Sequence, residues 1–284
     1  MATDRRTVPH GEDPDEMPHL LIPRSPLAPD RSPVRIGYRD SADDRDPGRT
    51  NVLVVLHGGW GGGIYSFDRQ IAALDRHRVI VPDRTGYGRS GTIETQPLDF
   101  HQRAADETLA VLDSLGLGRV SFWGHSDGAV IALKIALTAP DRVDRIVAEA
   151  THFFRRKPRS RGFFEAMRDR PEQFGGRASK ALEADHGSRW RSVLSMNGVA
   201  WLQLAESAGD QETDLYDGQL RDVRSPVLLI HGEADPRTEP GELDAIHAAL
   251  PTAQLALLPG AGHSPHSEGT SADTVTRLLR QFLE

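Results

Sequence analysis

Gly124-His125-Ser126-Asp127-Gly128 is the stretch that decides the reading of this chain, because of what flanks it. Upstream lies Arg119-Val120-Ser121-Phe122-Trp123, rich in the β-branched and aromatic residues that strands favour. Downstream, Ala129 to Leu137 follows an apolar helical pattern that stops at Pro140. A Gly-x-Ser-x-Gly at a strand-to-helix junction exposes a serine hydroxyl on a sharp turn above a sheet. The glycines have a physical task there. The turn needs unusual backbone angles, and strand and helix approach so closely that side chains at 124 and 128 would collide.

A nucleophilic serine needs a base, an acid to orient that base, and donors for the developing oxyanion. Ser225 to Ile230 reads as a buried strand and runs into His231-Gly232-Glu233-Ala234-Asp235-Pro236. Ala253 to Leu258 reads as the next strand and runs into Pro259-Gly260-Ala261-Gly262-His263-Ser264. The order is Ser126, Asp235, His263, each just past the carboxyl end of a strand, where open α/β sheets place their ligands. Glu149 ends the sixth strand and is the competing acid, but the long insert that follows it favours Asp235. Asn51 to Leu56 reads as the first long strand, and His57-Gly58-Gly59-Trp60-Gly61-Gly62-Gly63 follows it. Glycines leave backbone amides uncovered, so an amide of this loop can point at negative charge. The loop lacks the register of the common phosphate-binding loops. The second donor is expected from the amide of Asp127, the residue after the serine.

With these pieces assembled, the chain resembles the α/β-hydrolase superfamily from about Arg35 onward. The likeness rests on His57-Gly58-Gly59, on the run from Asp83 to Ser90, on Gly124 to Gly128, on His231 to Pro236, and on Gly262-His263. It implies an α/β fold, a mostly parallel central sheet flanked by helices, with a helical cap insert. It implies Ser126 as nucleophile, His263 as general base and Asp235 as orienting acid, with the amides of Gly59 and Asp127 forming the oxyanion hole. The acid after the serine, the His-Gly-Glu-x-Asp-Pro run and the insert after the sixth strand are most similar to the valacyclovir-hydrolase-like esterases, which act on small amino-acid and aryl esters. Serine at 126 disfavours the dehalogenase and epoxide-hydrolase chemistry that uses an aspartate nucleophile on this scaffold. Trp60 interrupts the His-Gly-Gly-Gly of one lipase branch and is expected to wall the pocket.

The expected organisation is a partly disordered arm over 1–33, a body over 34–150 and 224–284, and a helical cap over 151–223. The cap carries Phe153, Phe154, Phe163, Phe164, Trp190 and Trp201. Trp60, Trp190, Trp201 and the Asp127 carboxylate are the candidate substrate-binding side chains, and each aromatic has the plain alternative of packing cap on body. Asp127 also has two readings: an acid placed at a helix N-terminus, or a partner for a cationic group such as an α-amine. Asp83 and Arg84 read as a tight turn pinned by a buried ion pair. The basic run from Arg155 to Arg161 reads first as a solvated face, and otherwise as an attractor of carboxylates.

Composition bounds the rest. The 284 residues suffice for one large domain with an insert, and 38% hydrophobic with 26% charged residues is a globular balance. No apolar run approaches the roughly 20 residues that span a membrane, and residues 1–33 lack a secretory pattern. The absence of cysteine excludes disulfides and thiolate metal sites, and no His-x-x-x-His on one helix suggests a metal. Neither metal nor cofactor is expected, and a net charge of −7 disfavours nucleic acid. A small-molecule substrate, no membrane partner, a cytoplasmic location and a monomer or homodimer complete the expectation. The expected reaction is hydrolysis of a small carboxylic ester through an acyl-enzyme. Carbon–carbon, thioester or lactone hydrolysis would use the same residues. A non-catalytic receptor would have no need of an intact Ser, Asp and His.

Overall fold

A computed structural model describes residues 18–41, 51–210 and 213–284. Eight strands follow the apolar runs: β1 (His19–Ile22), β2 (Val34–Asp40), β3 (Asn51–Leu56), β4 (His77–Pro82), β5 (Val120–His125), β6 (Val143–Glu149), β7 (Val227–Gly232) and β8 (Gln254–Leu258). They form one sheet in the order β1-β2-β4-β3-β5-β6-β7-β8, antiparallel at β1-β2 and β2-β4 and parallel elsewhere. The body helices are α1 (Asp68–Ala73), α2 (Phe100–Ser114), α3 (Asp127–Thr138), α7 (Glu242–Ala249) and α8 (Ala272–Leu283), and α4 to α6 belong to the insert between β6 and β7.

The parallel strands are apolar on both faces because both faces are covered. Along β3, Leu53 and Val55 join α1 and α8 in one core, while Val54 and Leu56 join α2, α3 and α7 in the other. From β3 the chain goes to β4 on one side and then to β5 on the other. The loops that follow β3 and β5 therefore diverge and leave a crevice between them. Among the described residues, no helix is long and apolar enough to cross a membrane.

Two expectations change. Within the expected arm, β1 pairs with β2 from His19↔Gly37 to Ile22↔Val34, and Ile22 and Ala28 are buried against Val34 and Ile36. The sheet thus begins well before residue 34, because a short edge strand with few apolar residues is overshadowed in composition by its Pro and Arg neighbours. Residues 1–17 of that arm, and most of the polar loop before β3, lie outside the described residues.

The basic run is a solvated face only at its end, where Arg159 and Arg161 are exposed. Lys157 is buried against Glu242, Arg155 pairs with Asp217, and Arg156 donates to the Ala208 carbonyl at 2.9 Å. The amide of Arg159 donates to Glu239 at 3.0 Å. The Lys157 and Arg159 contacts tie the insert to the start of α7 and the loop before it, while those of Arg155 and Arg156 stay within the insert. Its helices are α4 (Arg161–Asp169), α5 (Arg177–His186) and α6 (Trp190–Ser207). Where α4 and α6 cross, a Cβ on Gly198 would lie 2.6 Å from the Phe164 carbonyl oxygen, so only glycine allows the approach. Phe164 then stacks on Trp201, with centroids 5.3 Å apart.

Candidate active site

Ser126 sits between β5 and α3 at φ 55°, ψ −120°, a left-handed backbone that a non-glycine residue adopts at a cost of about 1–3 kcal/mol. The strain persists because the elements around it leave no alternative. A Cβ on Gly124 would lie 2.2 Å from the Gly128 carbonyl oxygen, and one on Gly128 would lie 2.0 Å from that of Leu56. The Ser126 amide donates to the Glu149 carbonyl at 2.9 Å, tying the turn to β6.

His263, after β8, brings Nε2 to 3.1 Å from Ser126 Oγ. Its Nδ1–H donates to Asp235 Oδ2 at 2.8 Å, which leaves Nε2 free to take a proton. Burial works to raise the Asp235 carboxyl, but the hydrogen bond and charge of His263, with the Arg237 amide at 2.8 Å, hold it well below the usual carboxylate range. The three side chains expected from chain order therefore meet.

Glu149 is engaged elsewhere. Fully buried, it accepts from the His266 amide at 2.9 Å, from His266 Nδ1 at 2.8 Å and from Trp123 Nε1 at 3.0 Å.

The Gly59 and Asp127 amides flank the cavity at Ser126, and among the described residues neither donates to a protein acceptor. Gly59 has no room for a side chain, since a Cβ there would lie 2.5 Å from Asn197 Oδ1. Arg84 fixes the loop that carries Gly59. Its guanidinium donates to the carbonyls of His57 at 3.1 Å and Gly58 at 3.3 Å, and its amide donates to His57 Nε2 at 3.2 Å. Burial and the charge of Arg84 keep His57 neutral. The expected Asp83–Arg84 ion pair is not formed. Adjacent residues leaving a strand point to opposite sides, so Asp83 instead receives the Arg89 amide at 3.0 Å.

The Asp127 carboxylate is 1% exposed and lines the cavity. It accepts from His101 Nε2 at 3.2 Å, Trp201 Nε1 at 3.1 Å and Asn197 Nδ2 at 3.1 Å. Burial alone would raise its pKa, but the His101 bond, the nearby charge of Arg84 and the Asn197 bond bring it down to about 2. Burial also lowers His101 below its ordinary value, so the three donors around this negative charge are neutral.

His152 was not among the expected residues. Its Nε2 lies 3.2 Å from Ser126 Oγ and its ring stacks on that of His263 at 5.6 Å. Burial first, then the charge of Lys157, push it far below the ordinary histidine range, so it is neutral. It stands just past the end of β6, and the rule that singled out Asp235 and His263 applies to it equally. His101 and Asn197 lie inside helices and carry no comparable signal.

The cavity holds about 210 Å³, below the roughly 300–1,000 Å³ of sites for drug-sized ligands. Trp60, Phe163, Phe164 and Trp201 wall it, and Trp60 stacks on Phe163 at 5.7 Å. Trp190 does not reach it. The residue is 3% exposed within the large hydrophobic core, seven residues and about 10 Å along α6 before Asn197.

A sequence model described as the alpha/beta hydrolase family matches residues 53–277. The chain belongs to that family. It is 28% identical over 237 residues to human serine hydrolase BPHL, covering 82% of this chain and 79% of that one. It is 30% identical over 236 residues to the pimeloyl-[acyl-carrier protein] methyl ester esterase of Nitrosomonas europaea, covering 75% and 88%. The solved structure of a thermophilic esterase from Thermogutta terrifontis shares the fold at a TM-score of 0.69 and 21% identity, covering 94% of this chain and 98% of that one. As a member of the alpha/beta hydrolase family with hydrolases as relatives, the protein is a hydrolase.

Proposed function

We propose that this hydrolase cleaves small carboxylic esters with an α-amino group on the acyl part, through an acyl-enzyme on Ser126. The observation that carries the proposal is Asp127: an ionised carboxylate, buried beside the serine, facing the cavity and held by neutral donors alone. The charge of Arg84 acts on this carboxylate without touching it, and a substrate ammonium would supply the contacting cation that the described residues do not. A carboxylate offers about four lone-pair sites, of which three are filled. Two relatives named as a serine hydrolase and as an ester esterase support the ester reading.

The steps follow from the geometry. His263 takes the serine proton through Nε2 as Ser126 Oγ attacks the carbonyl carbon. The Gly59 and Asp127 amides receive the oxyanion at the positive end of α3. His263 then protonates the departing alcohol, and a water activated at the same nitrogen releases the acid. With Ser126 donating to His263, the contact from His152 has to be a donation from its Nε2–H. A neutral imidazole does this without competing for the serine proton.

The test compares alanine benzyl ester with propionate benzyl ester, which lacks only the amine. Asp127→Asn is expected to lower kcat/KM on the amino ester by ~30-fold more than on its analogue, the equivalent of losing about 2 kcal/mol from a buried charge pair. Equal losses on both esters would reduce Asp127 to a helix-end acid.

A further inference from the structure

We propose that Arg237 anchors a carboxylate on the leaving alcohol of the substrate, an inference that rests on the ester reading above. Arg237 follows Asp235-Pro236 after β7 and lines the cavity beside His263 and Ser264. Its guanidinium carbon lies 3.3 Å from the centroid of the Phe163 ring, and Phe163 stacks in turn on Trp60. The flat face of the cation is thereby covered, and the N–H edge is left. Among the described residues, no carboxylate or carbonyl accepts from that edge.

The two acids on this side of the cavity are already engaged. Asp235 takes the Nδ1–H of His263 and the amide of Arg237 itself. Glu268 accepts from the amides of Gly262 at 2.7 Å and Ser264 at 3.1 Å. What remains is a half-buried guanidinium with its donors unpaired, and the planar fork matches a carboxylate better than any neutral acceptor.

Chemistry assigns the end of the substrate that Arg237 meets. His263 must hand its proton to the leaving oxygen, so the alcohol part lies on the His263 side. Arg237 comes from that same side, on the loop of Asp235. Asp127, at the head of α3, and the Gly59 amide, on the loop after β3, line the cavity from other elements. An ester with a cationic acyl end and an anionic alcohol end matches Asp127 and Arg237, and the aminoacyl ester of a small hydroxy acid is the simplest of that class.

The alanine esters of glycolate and of glycolamide differ at the alcohol end by a charge and little else. Binding of both to Ser126→Ala protein, by calorimetry, reads the subsite without turnover. The glycolate ester is expected to bind about tenfold more tightly or better, with the preference lost in Ser126→Ala/Arg237→Gln and partly kept in Ser126→Ala/Arg237→Lys. Turnover by enzyme with Ser126 intact should show the same ratio and the same response to Arg237→Gln. Equal binding of the two esters, or a preference that survives Arg237→Gln, overturns the assignment to Arg237. A preference that depends on Arg237, with no turnover of either ester, would instead overturn the esterase reading.

Discussion

The body and the insert contribute to one cavity by different means. The body supplies Ser126, Asp235 and His263, and the first residues of the insert supply His152, each within a few residues past the end of a parallel strand. The insert supplies Phe163, Phe164, Asn197 and Trp201 from the sides of two helices. A strand end fixes a side chain through a sheet buried on both faces, so the reacting groups inherit the rigidity of the core. A helix side here fixes a side chain only through the packing of the insert helices on one another and the bonds to Asp127. The first arrangement suits chemistry that tolerates little displacement. The second suits the shape and charge of what is admitted.

The sharpest way to break this division is to attack the body at its two buried acids. Asp235→Asn removes the charge that orients His263 and is expected to lower kcat by about 10³–10⁴ with the fold intact. Glu149→Gln leaves the Ser126–His263 contact in place and is expected to act on stability, since Glu149 accepts three donors in the core. Kinetics and thermal unfolding of both variants decide it. If Glu149→Gln lost the activity and Asp235→Asn kept it, the orienting acid would sit after β6.

The same division governs what was legible in the sequence. Ser126, Asp235 and His263 could be read because each follows a strand that announces itself as an apolar run, with a turn motif at its end. His152 follows the same rule, yet Thr151-His152-Phe153 forms no motif, so the position was informative and the residue type passed unnoticed. Asn197 could not be read at all. Its role depends on α6 passing close to Asp127 at the head of α3, and nothing in residues 190–207 encodes that approach locally. Trp190 and Trp201 looked alike as aromatics on one apolar pattern. Only the distance along α6 separates the ring that reaches Asp127 from the ring that packs the insert. Arg84 was placed in the right turn with the wrong partner, because the pairing depends on which side of the strand end each residue faces.

A second comparison concerns protons. His57, His101 and His125 in the body and His152 at the start of the insert are all held below the ordinary histidine value by burial, His125 at about 3. A histidine that stays neutral when folded and protonates when unfolded gives the unfolded chain the greater affinity for protons. The stability that results is complete above the unfolded value near 6.5 and is lost as pH falls. The slope is about 1.4 kcal/mol per pH unit for each such group. Below about pH 4 the lowered carboxyl of Asp127 adds to the loss, because protonating it is harder in the folded state. Urea midpoints are therefore expected to hold from pH 7.5 to about 6.5 and to fall from there to pH 5, with a shallower fall in His125→Asn. A flat profile over that range would mean that the buried histidines already carry protons at neutral pH, or that the site opens to water.

The smallest expected effect tests the insert alone. Trp201→Phe keeps an aromatic ring against Phe164 and removes the indole N–H that reaches Asp127 together with part of the ring system. Trp190→Phe makes the same chemical change at a ring with no part in the cavity. A hydrogen bond to a charged group contributes about 1.5–3 kcal/mol, but part of that loss is recovered when a substrate ammonium or a water takes the vacated lone pair. The net effect of Trp201→Phe on kcat/KM for an α-amino ester is thus expected to be about three- to tenfold, and smaller on the des-amino analogue. Trp190→Phe is expected to shift the unfolding midpoint and to leave the ratio of the two esters unchanged, because packing supports both substrates alike. Steady-state kinetics on the ester pair, beside a melting curve for each variant, separates the outcomes. If Trp190→Phe changed the ratio as much as Trp201→Phe, selectivity would be a property of the whole insert's position over α3, and the carboxylate at Asp127 would be only one of the surfaces that position creates.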